Sequence, residues 1–142
     1  MILVDVNLLI YAKIEESAQH EVARAWLDDR LAQPRRVGLP WESLMGFARI
    51  TTNPRIMRRP LSSEQAWSQI EDWLDRDSAW IPLAGPRHRE VLADLVAKTE
   101  PTANLVPDAH LAALALQHGL TLATTDRGFA VFPGLRWENP LD

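Results

Sequence analysis

Met1–Ala12 reads MILVDVNLLIYA, an apolar run broken by one aspartate, Asp5, and one asparagine, Asn7. The first six residues have the length and apolar density of a buried strand, and Leu8, Leu9 and Ala12 carry the apolar content on at helical spacing. The stretch predicts a strand ending near Asp5 and a short helix directly behind it. A carboxylate in such a run is costly to bury without a hydrogen bond, a partner or a cation. Asp5 therefore either closes a strand with a local hydrogen bond or serves a site.

Outward from this stretch, strand and helix signals alternate. SAQHEVARAWLDDRLAQP predicts an amphipathic helix with Val22, Trp26, Leu27 and Leu31 on one face and Pro34 closing it. RRVGLP is a second short strand, and WESLMGFARITT a helix with Glu42 in its first turn. NPRIMRRP, bracketed by prolines, is a loop. SSEQAWSQIEDWLDR begins like a capping box, Ser62 or Ser63 before Glu64 to Gln65, and sets Trp67, Ile70 and Leu74 on one face. AWIPLA is a third strand and HREVLADLVAKT a helix; PTANLVPDAHLAALALQHG is a loop running into a strongly apolar helix that Gly119 ends. LTLATTD is a fourth strand reaching Asp126, and Leu135 to Glu138 supply a short last one.

At 142 residues without repeats or linkers, the chain reads as a single domain, 1–142. The alternation predicts an α/β fold with a mostly parallel central sheet of four to five strands and helices on both faces. No apolar stretch reaches the length of a membrane span and no basic segment precedes the first one, so a cytoplasmic protein without membrane contact is expected. There is no cysteine, which excludes disulfides, thiol nucleophiles and thiolate metal sites. The net charge of −4 argues against a broadly basic nucleic-acid binder.

In open parallel sheets, ligands bind beyond the carboxyl ends of the strands. Asp5 and Asp126 fall at such ends, and Glu42 and Asp108 open helices that start on the same side. Four carboxylates facing one crevice resist ionisation unless a cation offsets their charge, and an oxygen-only set suits Mg²⁺ or Mn²⁺. Taken singly, each acid also has an ordinary explanation. Glu42 and Asp108 can favour their helix dipoles, Asp126 in TTDRG can close an Asx turn, and Asp5 can end a strand. Asn7 can cap the helix from Leu8 and orient the neighbouring carboxylate. Thr124 reads as a β-branched strand residue, with a hydrogen bond to the site as its alternative.

The segments VDVNLLIYA, WESLMGFARITTNPRI, VPDAHLAALALQHG and LATTDRGF together resemble a PIN-domain nuclease. Chain length and the GFARITTNPRI phrasing resemble the VapC-type toxins of bacterial toxin–antitoxin pairs. The resemblance spans the chain from Ile2 past Phe129 and rests most specifically on the ordered spacing of the four acids. It implies a PIN-like domain and a metal-dependent endoribonuclease, a homodimer, and an antitoxin that blocks the site. It puts Asp5, Glu42, Asp108 and Asp126 in the family's acidic positions and Asn7 and Thr124 in its supporting polar ones. Asp5, Asp108 and Asp126 are then the expected ligands of Mg²⁺ or Mn²⁺, with Glu42 completing the shell or deprotonating the attacking water.

Setting the four acids aside leaves 15 acidic against 15 basic residues, so RNA contact rests on local patches. Arg55, Arg58 and Arg59 form the densest. The four histidines lack a metal-binding spacing and read as surface or helix-end residues. Trp26, Trp67 and Trp73 read as core, with a partner surface as the alternative. A non-catalytic RNA- or protein-binding module remains as a rival. Two other aspartate-bearing classes fit less well. A haloacid-dehalogenase-type phosphotransferase wants an aspartate where Asn7 stands. A phosphoacceptor signalling domain wants paired acids on the first strand and a late lysine, where this chain has VDVN and TTDRG.

Overall fold

The computed structural model describes residues 1–142. Five strands form one sheet: β1 (Ile2–Val4), β2 (Val37–Gly38), β3 (Ala79–Trp80), β4 (Thr121–Ala123) and β5 (Trp137–Glu138). Their order is β3-β2-β1-β4-β5 and every pairing is parallel. Six helices connect them: α1 (Val6–Lys13), α2 (His20–Ala32), α3 (Trp41–Thr51), α4 (Ser63–Leu74), α5 (His88–Thr99) and α6 (Leu105–His118). A short 3-10 turn, Arg127–Val131, follows β4. No helix is long and apolar enough to cross a membrane.

The residues of the central strands alternate between two cores, one on each face of the sheet. Ile2, Val4 and Ala123 join Leu8, Leu27, Leu44, Phe47 and Ile70 in a core under α1 to α4. Leu3 and Leu122 turn the other way, into a core with Leu95, Leu114 and Phe129 under α5 and α6. This alternation is the two-residue period of a strand read against helices on both faces. From β1 the chain steps to β2 and β3 in one direction, then returns past β1 to β4 and β5. The reversal of strand order falls between β1 and β4, and a ligand crevice opens at such a point.

Two details set how closely α3 approaches the start of the chain. Gly46 leaves room for Val6, whose Cγ2 would lie 3.1 Å from a Cβ there. Ser43, buried in the first turn of α3, donates from Oγ to Val4 O at 2.7 Å. Together they fasten the amino end of α3 to the carboxyl end of β1. At the far end of α6, Gly119 adopts φ +66°, the left-handed conformation that ends a helix without Cβ strain.

Several helix faces differ from their sequence reading. In α2 the buried face is Ala23, Leu27 and Leu31, while Val22 is exposed. In α4 it is Ala66, Ile70 and Trp73. Trp67 points outward and stacks on Trp41, ring planes 6° apart. Of the tryptophans that read as core from their spacing, Trp73 packs edge-on against Phe47 at 4.9 Å, Trp26 is partly buried, and Trp67 belongs to the surface. The capping box at α4 is Ser62 with Gln65, each side chain bonded to the other's backbone N–H at 3.0 and 2.9 Å. Replacing a serine cap typically costs about 1 kcal/mol, so Ser62→Ala is expected to lower the thermal midpoint by about 2–4 °C. A calorimetric scan showing no change would mean that α4 is held by packing alone.

Candidate active site

Asp5 does not lie within β1 but one residue beyond it, as the N-cap of α1. Its backbone N–H still extends the ladder, donating to Ala123 O at 3.0 Å. The side chain turns back into the seam between β1 and β4 and is 7% exposed. Oδ1 accepts from Val6 N at 2.8 Å, and Oδ2 accepts from Thr124 Oγ1 at 2.7 Å. The helix begins at Val6, so Asn7 is not its cap; it stands in the first turn, half-buried.

Thr124 follows β4 directly and is fully buried. Of its two sequence readings, a plain strand residue or a hydrogen bond to the site, the second is the one the structure shows: its hydroxyl links two acids. It donates to Asp5 and accepts from Asp126 N at 3.0 Å. Asp126 in turn accepts from Gly128 N through Oδ1 at 2.8 Å, the Asx turn its TTDRG context suggests. The turn and the site are therefore compatible. The turn holds Asp126 by one oxygen, at the end of a strand whose next residue grips Asp5.

Asp108 enters from the first turn of α6. Its carboxyl is pushed up to about 6, mainly by burial and then by the charges of Asp126 and Asp5. Asp5 is also raised, chiefly by burial, with its hydrogen bonds from Thr124 and Val6 working against the shift and Asp126 adding to it. Three acids from three chain segments thus share one field. They do not close on a single point, since no three histidine or acidic side chains converge at ligand reach. An ion held there would bridge to part of the set through water, as Mg²⁺ commonly does.

Glu42 stands apart from the three aspartates. It projects from the first turn of α3, partly exposed, and its Oε2 is hydrogen-bonded to His110 Nε2, two residues past Asp108 on α6. His110 Nδ1 and His88 Nε2 share a hydrogen bond at 2.9 Å, and His88 Nδ1 donates to Gln117 Oε1 at 2.8 Å. His20 and His118 bond instead to backbone oxygens, those of Tyr11 and Leu83. From sequence His88 and His110 read only as surface or helix-end residues, and Ser43 carries no assigned role. The partners of the two histidines lie 22 to 68 positions away, and only Ser43, a hydroxyl beside Glu42 in a first turn, left a local trace. Arg55, Arg58 and Arg59 lie exposed in the loop after α3, with Arg59 reaching Glu16 at 4.0 Å.

The raised acid at Asp108 fixes a sign for stability. The folded chain holds this proton more tightly than the unfolded chain, whose aspartate keeps its ordinary 3.8. Ionised Asp108 therefore destabilises the fold above pH of about 6, and the cost fades as pH falls toward about 4. In chelator at pH about 7.5, Asp108→Asn is expected to raise the thermal midpoint by about 2–4 °C. That corresponds to on the order of 1 kcal/mol once the group's partial exposure is allowed for. The gain should vanish by pH of about 4, and an equal midpoint at pH 7.5 would contradict the assignment.

Comparison with known proteins agrees with this architecture. The PIN domain family model matches residues 2–135. Ribonuclease VapC37 of Mycobacterium tuberculosis is 40% identical over 140 residues, 99% of this chain and 97% of that protein. Among solved structures, VapBC2 from Rickettsia felis, bound to a promoter DNA fragment, superposes with a TM-score of 0.74 at 20% identity, covering 98% of each chain. A toxin–antitoxin complex from Klebsiella pneumoniae gives 0.63 at 19% identity, covering 99% of this chain and 98% of its own. At those identities the two structures speak for the fold, while the family match and the full-length relative speak for kinship. The chain belongs to the PIN-domain family and is related over its full length to the VapC ribonucleases.

Proposed function

We propose that this protein is a divalent-cation-dependent endoribonuclease acting as the toxin of a toxin–antitoxin pair. The observation that carries the reading is Asp5, buried and gripped at the strand-order reversal, with Asp108 and Asp126 sharing its field, in a chain kin to the VapC ribonucleases. Carboxylates raised by burial and mutual repulsion hold an excess of negative charge that a hard cation offsets. Asp5, Asp108 and Asp126 are the residues that would hold Mg²⁺ or Mn²⁺, in part through water. The bound ion supplies charge neutralisation at the scissile phosphodiester and a more acidic water.

The chain's own groups do the rest. Val6 N–H and Thr124 O–H orient Asp5 so that its carboxylate is fixed before substrate arrives, and the Thr124 link sets Asp126 in register with it. Glu42 has Oε2 engaged by His110, leaving Oε1 to take the proton of the attacking water. The exposed Arg55, Arg58 and Arg59 give phosphate contacts outside the crevice. A single-stranded or looped RNA, whose backbone and bases are accessible, suits a site at the strand ends.

The partner side of the reading is an antitoxin that covers the crevice, and a second copy of this chain. Its support is the kinship with VapC proteins, the fold shared with a toxin–antitoxin complex, and the exposed Trp41, Met45 and Trp67 on α3 and α4. Aromatic residues and methionine at a surface are the usual core of a protein interface.

Metal-free protein added to total RNA is expected to cut only when Mg²⁺ or Mn²⁺ is restored. Asp5→Ala should reduce that cutting by at least about 100-fold, with a thermal scan confirming that the variant is folded. Cleavage that survives chelation, or that a folded Asp5→Ala retains, would overturn the proposal.

A further inference from the structure

We propose that His110 and His88 are positioning residues, a two-imidazole chain that holds the Glu42 carboxylate at the edge of the crevice. The inference builds on the catalytic reading of Glu42 but stands on separate geometry. Glu42 projects partly exposed from the first turn of α3, and without a partner it would sample several rotamers. The hydrogen bond its side chain makes is to His110 Nε2. His110 sits two residues past Asp108 on α6, so this contact ties the α3 acid to the helix that delivers an aspartate of the cluster.

His110 is itself held from behind. Its Nδ1 shares a hydrogen bond with His88 Nε2 at 2.9 Å, and the two rings meet edge to face with centroids 4.7 Å apart. His88 opens α5 and donates from Nδ1 to Gln117 Oε1 at 2.8 Å. Gln117 lies two turns beyond His110 on the same face of α6, and its Nε2 donates to Leu83 O at 3.3 Å. The chain thus runs from a backbone carbonyl to the crevice, through Gln117, His88 and His110. Such outer partners orient reactive carboxylates, and their loss typically costs about 10–100-fold.

A merely structural stitch among α3, α5 and α6 would look similar in a static structure, so the test must show that the histidines act through Glu42. RNA cleavage is measured for His88→Ala and His110→Ala, alone and combined with Glu42→Ala, and for His110→Gln, which keeps a donor. The proposal expects each histidine variant to lose about 10–100-fold in kcat with KM within about twofold. It expects those losses to disappear in the Glu42→Ala background and His110→Gln to recover part of the rate. Imidazole ¹H–¹⁵N spectra of the intact protein read the chain without activity. The His110 Nε2 resonance should move in Glu42→Ala and in His88→Ala. Losses that persist without Glu42, full activity of both histidine variants, or an unmoved His110 resonance would each overturn the proposal. A native protein that cuts no RNA would refute the catalytic reading, and the spectra would still decide whether the imidazole chain holds Glu42.

Discussion

The carboxylate of Asp5 is held by two donors, one local and one remote: the N–H of the next residue and the hydroxyl of a residue 119 positions further along the chain. The first exists because a helix must start there, and an aspartate is among the best residues to satisfy its free N–H groups. The second exists because β4 pairs beside β1 and ends one residue before Thr124. Burial pushes the acid toward its neutral form, and these hydrogen bonds push back. A carboxylate under that tension is firmly placed and still short of counter-charge. The remaining site residues take their positions from the same seam, since Asp126 hangs from Thr124 and α3 is fastened to Val4 beside Asp5.

Two helices then bring chemistry to the seam from opposite faces of the sheet. On one side α3 carries Glu42, and on the other α6 carries Asp108 and His110. The Glu42–His110 contact crosses between them at the strand ends. The acids therefore divide into two kinds. Asp5, Asp108 and Asp126, running from buried through half-buried to exposed, are coupled through charge, whereas Glu42 is hydrogen-bonded to imidazole. That division fits a set of cation-binding oxygens beside a group that handles a proton.

Much of this was legible in the sequence because the signals are local. The apolar density of ILV, the alternation of strands with amphipathic helices, the Ser62–Gln65 box and Gly119 each act within a few residues, and each led to the element found. Asp5 stood out for the same reason, as a charge in an apolar run. What escaped depends on three-dimensional neighbours. Trp67 reads as core by helical spacing, yet its side of α4 meets Trp41 rather than the interior. Asn7 lost the cap because Asp5 already fills it two residues earlier. Thr124 reaches the site by the hydrogen bond that its sequence context offers as an alternative, whereas the His110–His88 pair gains its meaning from partners 22 to 68 positions away, which no spacing rule reveals.

On the proposed reading, the Asp5 seam is an electrostatic site suited to a cation. Its most direct test is calorimetric titration of Mn²⁺ into chelator-treated protein at pH of about 7.5 and again near pH 5, alongside Asp5→Asn. The account predicts saturable binding at the higher pH and weaker binding below about 6, where Asp108 takes up a proton. It also predicts loss of binding in a folded Asp5→Asn. Absence of binding by the native chain, or equal binding by Asp5→Asn, would contradict it.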